Sequence, residues 1–155
     1  GGALAAQGRA DAGIVADFLT HPYFARVPPK SLDRDAFTGL AQAVIRLSPA
    51  DAAATLVAAL AASVGAGLEF LPTAPARLLV CGGGRHNATI MAALSARVDC
   101  PVEPVEAIGL DGDMLEAQAF GWLAVRVLRG LPTSGPMTTD APGPVSGGRI
   151  SAPRA

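Results

Sequence analysis

Arg77-Leu78-Leu79-Val80-Cys81-Gly82-Gly83-Gly84-Arg85-His86-Asn87 is the stretch that decides the fold. Its first five residues, four of them apolar, read as a short buried strand. Three glycines end that strand. Ile90, Met91 and Leu94 follow at helical spacing, so a helix should begin near Asn87. A strand, a glycine turn and a helix in succession point to an α/β layer structure. Without side chains, the turn lets a ligand approach the backbone closely. The helix start adds unpaired N–H groups and a positive dipole end. Together these suit a nucleotide phosphate or the adenosine beside it. The pattern is not the dinucleotide-binding GxGxxG, because Asn87 occupies the last glycine position. It is not a P-loop either, since no Gly-Lys-Ser or Gly-Lys-Thr follows. Arg85, His86 and Asn87 could reach the same ligand. A tight turn that binds nothing would use the same three glycines.

Downstream, Val102 to Val105 is a second candidate strand, weakened by Pro101 and Pro104. The segment Gly109-Leu110-Asp111-Gly112-Asp113-Met114-Leu115-Glu116-Ala117 then brings three acids to one helix start. The helix is predicted over Asp113–Arg129, with Arg126 and Arg129 in its last turn and Gly130 as the stop. Asp111 and Asp113 read as capping and dipole-complementing residues. Glu116 differs, because it shares a face with Phe120, Leu123 and Val127. Burying that carboxylate unpaired would be costly. It either opens into a polar cleft, where it could orient a sugar hydroxyl or a water, or forms a structural salt bridge. Trp122 lies on another side of the helix, among Ala and Leu, and reads as packing. Residues 132–155 are rich in Pro, Gly, Ser and Thr and read as a loop-rich tail with one edge strand.

Upstream, Ser48-Pro49-Ala50-Asp51 is a helix start with a capping hydroxyl, a first-turn proline and an acid at the positive dipole end. That helix should run to Gly65 or Gly67. Its uncharged part, Ala52 to Leu68, is at the short limit for a bilayer span and has no basic flank. It reads as a buried helix of a soluble protein, with no membrane role. A short helix is predicted through Phe37, Leu40 and Val44, and another from Gly8 to His21. The prolines between His21 and Ser31 predict an extended loop there.

The chain has 155 residues, half of them hydrophobic, which fits one domain with a sizeable core. Only 16% are charged and the formal net charge is -1, so nucleic-acid binding has no electrostatic support. Cys81 and Cys100 stand in no metal-ligand spacing, and no metal site is read from the sequence. So few thiols fit a reducing cytoplasm. Gly1-Gly2-Ala3-Leu4 lacks the basic region of a signal peptide.

Several separated pieces resemble one family. They are Gly1-Gly2-Ala3-Leu4-Ala5-Ala6-Gln7-Gly8, His21-Pro22-Tyr23-Phe24, Pro28-Pro29-Lys30-Ser31 and Ala54-Thr55-Leu56. Cys81-Gly82-Gly83-Gly84 with His86-Asn87 follows, then Asp113 with Glu116-Ala117-Gln118-Ala119-Phe120-Gly121-Trp122-Leu123-Ala124. In combination the chain resembles the anhydro-N-acetylmuramic acid kinases of the sugar kinase/actin/Hsp70-like superfamily. The resemblance implies an actin-like (ribonuclease H-like) α/β ATPase fold, helices on a small sheet. Residues 1–155 would be the C-terminal, nucleotide-side lobe of a two-lobe kinase, and an incomplete one. The implied reaction uses ATP, Mg2+ and water. It opens the bridge of 1,6-anhydro-N-acetylmuramic acid and phosphorylates the 6-hydroxyl, for cytoplasmic peptidoglycan recycling. By the same resemblance, Gly82, Gly83, Gly84 and Asn87 would line the nucleotide site, and Glu116 would face the sugar and the attacking water. The main catalytic aspartate lies before Gly1 in the family, so the isolated chain is expected to be inactive. The partners implied are the small amino sugar and the N-terminal lobe, and the resemblance also allows a second copy in a homodimer. The competing reading is a truncated, non-catalytic α/β interaction or dimerisation module.

Overall fold

A computed structural model describes residues 1–152. Helices α1 (Ala3–Gln7), α2 (Ala12–Leu19), α3 (Pro22–Ala25), α4 (Thr38–Val44) and α5 (Pro49–Leu68) come first. Strand β1 (Leu78–Val80), helix α6 (Ala88–Arg97) and strand β2 (Val102–Pro104) form the middle. Helices α7 (Leu115–Leu128) and α8 (Pro136–Thr139) complete the order.

The core is organised around α5. Ser48 caps it as expected: its Oγ accepts from the Asp51 amide at 3.2 Å and donates to Asp51 Oδ2 at 2.8 Å. Asp51 Oδ1 in turn accepts from the Arg9 amide at 2.7 Å. Thr55, fully buried, donates from Oγ1 to the Asp51 carbonyl at 2.7 Å and accepts from the Asp11 amide at 3.0 Å. The start of α5 is thereby tied to the link between α1 and α2. Gly8 in that link lies so close that a Cβ would sit 2.0 Å from the Ala50 carbonyl oxygen. Along the helix, Ala54, Ala59, Ala61, Ala62 and Gly65 are buried. Helices α1, α2, α3, α4 and α6 all pack against α5. By length and composition alone α5 could cross a membrane. In this fold it carries five other helices instead.

Phe18, His21, Tyr23, Phe24 and Phe37 form a cluster of ring contacts beside α5. Phe24 stacks on Phe37 with centroids 5.7 Å apart, and Phe18 meets Phe24 edge-on at 5.0 Å. Lys30 closes the cluster. Its Nζ donates to the Tyr23 carbonyl at 2.9 Å and lies 4.3 Å from the Phe70 ring centroid.

Two upstream expectations need correction. The helix predicted from Gly8 starts at Ala12, because Asp11 caps it by accepting from the Ile14 amide at 3.0 Å. Residues 3–7 form a separate helix that the sequence reading did not anticipate. The stretch His21–Ser31 is not extended throughout, since α3 occupies its first part. Pro22 fits a first helical turn, and His21 Nδ1 accepts from the Tyr23 amide at 3.2 Å. Only beyond Arg26 does the chain run extended, through a cis peptide at Pro28–Pro29.

Strands β1 and β2 pair in parallel, with Leu78 opposite Val102, Leu79 opposite Glu103 and Val80 opposite Pro104. Helix α6 makes the crossover, so β1, α6 and β2 are a βαβ unit. The mixed α/β class is as expected, but β1 is half-buried rather than buried. Parallel strands become fully buried only when both sheet faces are covered, and the described residues form a two-stranded sheet.

Helix α7 starts two residues later than predicted. Asp111 Oδ1 accepts from the amides of Asp113 and Met114, and this turn precedes the helix. It ends as expected at Gly130, at φ 64°. Gly130 donates to the Val127 carbonyl at 3.1 Å and Leu131 to the Arg126 carbonyl at 2.9 Å, a Schellman closure. No residue of α7 is buried. Trp122 is therefore not a packing residue here. It is 58% exposed, with the Arg126 guanidinium 4.6 Å above its ring. Within 132–152 the expected edge strand is reduced to a single antiparallel bridge, Ser134 to Val145, beside α8. The last residues of that tail, 153–155, lie outside the described residues.

Candidate functional site

The glycine turn follows β1 directly, but the long helix does not follow the turn. One 3-10 turn, Gly83–His86, stands between them. Gly82 has φ 66° and ψ −171°, a backbone that side-chain-bearing residues rarely adopt. Its amide donates to the Gly112 carbonyl at 3.1 Å. Gly83 and Gly84 are different. Neither has a positive φ, and a Cβ on either would meet nothing within 4 Å. Their amides, at the start of the 3-10 turn, have no hydrogen-bond partner among the described residues. Internal packing therefore does not require glycine at 83 or 84. Bare backbone there leaves space for a molecule to approach.

Arg85 does not reach outward toward a ligand, as the sequence alone allowed. Its side chain is 3% exposed and bonds inward. Nε donates to Glu106 Oε1, and Nη1 donates to Asp113 Oδ1 and to the Gly82 carbonyl, each at 2.8 Å. Glu106 Oε1 also accepts from the Gly112 amide at 3.2 Å. One buried guanidinium thus holds together the glycine turn, the 3-10 turn Val105–Ile108 and the approach to α7. The Asp113 hydrogen bond, with the Glu106 bond and both nearby charges, holds the guanidinium pKa even above its ordinary value. Asp113 is held below the usual carboxylate range, chiefly by the Arg85 hydrogen bond. Glu106 is held low by its own backbone amide, and further by Arg85 and the Gly112 amide. Glu106 and Gly112 went unread in the sequence. Nothing in their spacing from Arg85 signals the contact, which the fold alone creates.

The clamp aims the start of α7 at the glycine turn. Between them lies a depression of about 500 Å³, lined by Cys81, Gly82, Gly83, Gly112, Asp113 and Glu116 among others. Glu116 is exposed and has no ion-pair or hydrogen-bond partner among the described residues. The salt bridge considered for it is not formed among the described residues, and its carboxylate stands at the depression. The structure therefore brings Gly82, Gly83 and Glu116 together. Gly84 sits one residue beyond the lining. Asn87 is also outside it and is engaged otherwise: its Oδ1 accepts from the Thr89 and Ile90 amides at 3.1 and 3.2 Å, capping α6. His86 Nε2 lies 3.6 Å from Asp113 Oδ1, on the exposed side of the clamp.

A family profile described as "Anhydro-N-acetylmuramic acid kinase" matches residues 1–153. The chain belongs to the anhydro-N-acetylmuramic acid kinase family. An anhydro-N-acetylmuramic acid kinase from Cereibacter sphaeroides is 61% identical over 155 residues, covering 100% of this chain and 42% of its own length. Another, from Ruegeria sp. (strain TM1040), is 56% identical over 153 residues, covering 99% of this chain and 41% of its own length. A third, anhydro-N-acetylmuramic acid kinase 1 from Jannaschia sp. (strain CCS1), is 57% identical and shares 41% of its length. The resemblance read from the motifs is thus borne out along nearly the whole chain. The chain spans about 41% of the length of these curated relatives.

Proposed function

We propose that this chain supplies the nucleotide-side lobe of an anhydro-N-acetylmuramic acid kinase. The enzyme uses ATP and water to open the 1,6-anhydro bridge and phosphorylate the sugar's 6-hydroxyl, in cytoplasmic peptidoglycan recycling. The observation that carries the reading is the open, unpartnered backbone of Gly83 on the same depression as the unpaired carboxylate of Glu116.

The residues present fit a nucleotide. Gly82, Gly83 and Gly84 offer backbone that a nucleotide can approach without meeting a side chain. ATP supplies the phosphoryl group when bound. Mg2+ is commonly held by substrate phosphates with one or two carboxylates, and Glu116 is the unpaired carboxylate of the depression. Among the described residues no group of His, Cys, Asp and Glu forms a metal cage. On this reading Glu116 orients the water or sugar hydroxyl and accepts a hydrogen bond from it at a carboxylate oxygen. Asn87 contributes indirectly, by fixing the entry to α6. The principal catalytic aspartate belongs to the N-terminal lobe, so this chain alone turns over little or no substrate.

The test is a titration of the 155-residue chain with MgATP, followed through backbone amide signals. Shifts confined to Gly82–Asn87 and the start of α7 are expected. Unchanged signals there, with changes elsewhere, would remove the nucleotide assignment. Coupled ADP release that depends on the anhydro sugar, from this chain alone, would overturn the lobe assignment.

A further inference from the structure

The depression has two walls, and they come from different elements. Gly82 and Gly83 follow β1, while Asp113 and Glu116 belong to the start of α7. Packing does not set the span between them, since no residue of α7 is buried. Hydrogen bonds set it. The Gly82 amide donates to the Gly112 carbonyl at 3.1 Å, and Arg85 supplies the side-chain bonds. Its Nη1 grips the Gly82 carbonyl on one wall and Asp113 Oδ1 on the other, each at 2.8 Å. The path is short. Arg85 shares a 3-10 turn with Gly83, and Asp113 stands one helical turn before Glu116. Glu106 holds the guanidinium from a third side, through Nε at 2.8 Å, and the same carboxylate oxygen accepts from the Gly112 amide.

Arg85 does not line the depression, and its side chain is buried. It is placed to hold the walls and not to meet a phosphate. A buried ion pair adds little net stability over apolar packing of the same volume. What a planar guanidinium adds is direction, because donors fixed in one plane fix their partners relative to one another.

We propose that Arg85 is a positioning residue of the kinase reaction: it fixes the span between the bare backbone at Gly83 and the carboxylate of Glu116, and so aligns the nucleotide with the water or sugar hydroxyl. This rests on the lobe assignment above. The consequence is kinetic. Phosphoryl transfer depends chiefly on alignment, and a misplacement of about 1 Å can cost on the order of 100-fold in rate. Loosening the clamp leaves each wall's own groups in place, so MgATP binding is spared while turnover is not.

The experiment uses a full-length chimera, with this chain in place of the matched region of the Cereibacter sphaeroides relative. Sugar-dependent ADP release is divided by the MgATP sites titrated in the same sample, so that unfolded chains do not count. Arg85→Met should lower kcat per site at least ~10-fold, with MgATP affinity within about 3-fold of the unsubstituted chimera. A smaller fall overturns the proposal, and so does an equal loss of MgATP affinity. Glu106→Ala reaches Arg85 from outside the depression and should lower kcat in the same direction. Glu106→Gln should recover part of that loss, because its carbonyl oxygen still accepts from Nε. Unchanged turnover in Glu106→Ala would overturn the proposal, and the Glu106 pair decides the matter if Arg85→Met does not fold. If the chimera does not fold, the relative itself, given this chain's residues at the positions aligned with 85, 106 and 113, carries the same comparison. A folded, unsubstituted chimera without sugar-dependent ADP release would sink the functional reading and the proposal with it. An active chimera indifferent to these substitutions would sink the proposal alone.

Discussion

Arg85 Nη1 donates to Asp113 Oδ1 at 2.8 Å, across 28 residues of sequence. This bond joins the glycine turn to the loop that delivers Glu116. Substituting the guanidinium removes a donor set that also serves Glu106 and the Gly82 carbonyl. Arg85→Met should lower the melting temperature more than Arg77→Met, because Arg77 pairs with Glu103 on the surface at 3.6 Å. Arg85→Lys should recover only part of the loss, since one ammonium cannot reproduce the planar fork. The amide shifts of Gly82 and Gly112 should move in both Arg85 variants. Unmoved signals would mean that the clamp does not hold the turn.

Gly112 packs against the same guanidinium. A Cβ there would lie 2.4 Å from Arg85 Nε. Gly112→Ala should therefore cost about 1–3 kcal/mol in chemical denaturation. In an Arg85→Ala background the same change should cost distinctly less, because the clash is gone. Additive effects of the two changes would contradict the contact.

Thr55 offers a test of the core. Thr55→Val keeps the shape but leaves the Asp11 amide without its acceptor. The expected loss is about 1–3 kcal/mol, with Thr55→Ser losing less. Equilibrium unfolding in urea measures both.

Acid should weaken the fold through three carboxylates. Asp51 is held low by the Arg9 amide and Ser48, Asp113 by Arg85, and Glu106 by its own amide and then Arg85. On unfolding, each returns to its ordinary, higher pKa. Between the two values the unfolded chain binds more protons, so acidification favours unfolding. The stabilisation is complete above the ordinary carboxylate range and is lost as pH falls through the folded-state values. Melting temperature should be nearly flat from neutral pH to about 5 and fall below roughly pH 4. The fall should be shallower in Arg85→Met, where Asp113 and Glu106 are no longer held down.

The features legible in the sequence were those fixed by local chemistry. Ser48 with Pro49 marked the start of α5, Gly130 marked the end of α7, and Arg77–Cys81 followed by glycines marked a strand, a turn and a helix. Local readings went astray where a long-range contact decided. Asp11 caps α2 while its own amide is held by Thr55, and no window around Gly8 contains Thr55. Pro22 was read as a breaker, yet a proline in a first helical turn costs nothing when His21 caps it. The candidate site divides the same way. Gly82, Gly83 and Glu116 were picked out by residue type and lie together. Arg85 was read as able to reach a ligand, because only the folded chain reveals Glu106 and Asp113 beside it.

The buried side of α5 is built from Ala54, Ala59, Ala61, Ala62 and Gly65, with Arg97 lying 3.0 Å from where a Cβ on Gly65 would stand. Helices seated on methyl groups approach one another closely, and of these five positions only Gly65 faces a long side chain, Arg97, that could bend aside. Replacement at these positions is therefore bounded from above. Loss of a methyl removes little buried area, while a single added isopropyl group must push a whole neighbouring helix outward. Selection on this protein should accordingly tolerate drift in its large exposed residues, such as Leu56 and Leu60, and act as a ceiling on volume along the opposite side of the same helix. A saturation library of α5 scored for soluble expression would show that asymmetry as a size limit rather than a hydrophobicity limit.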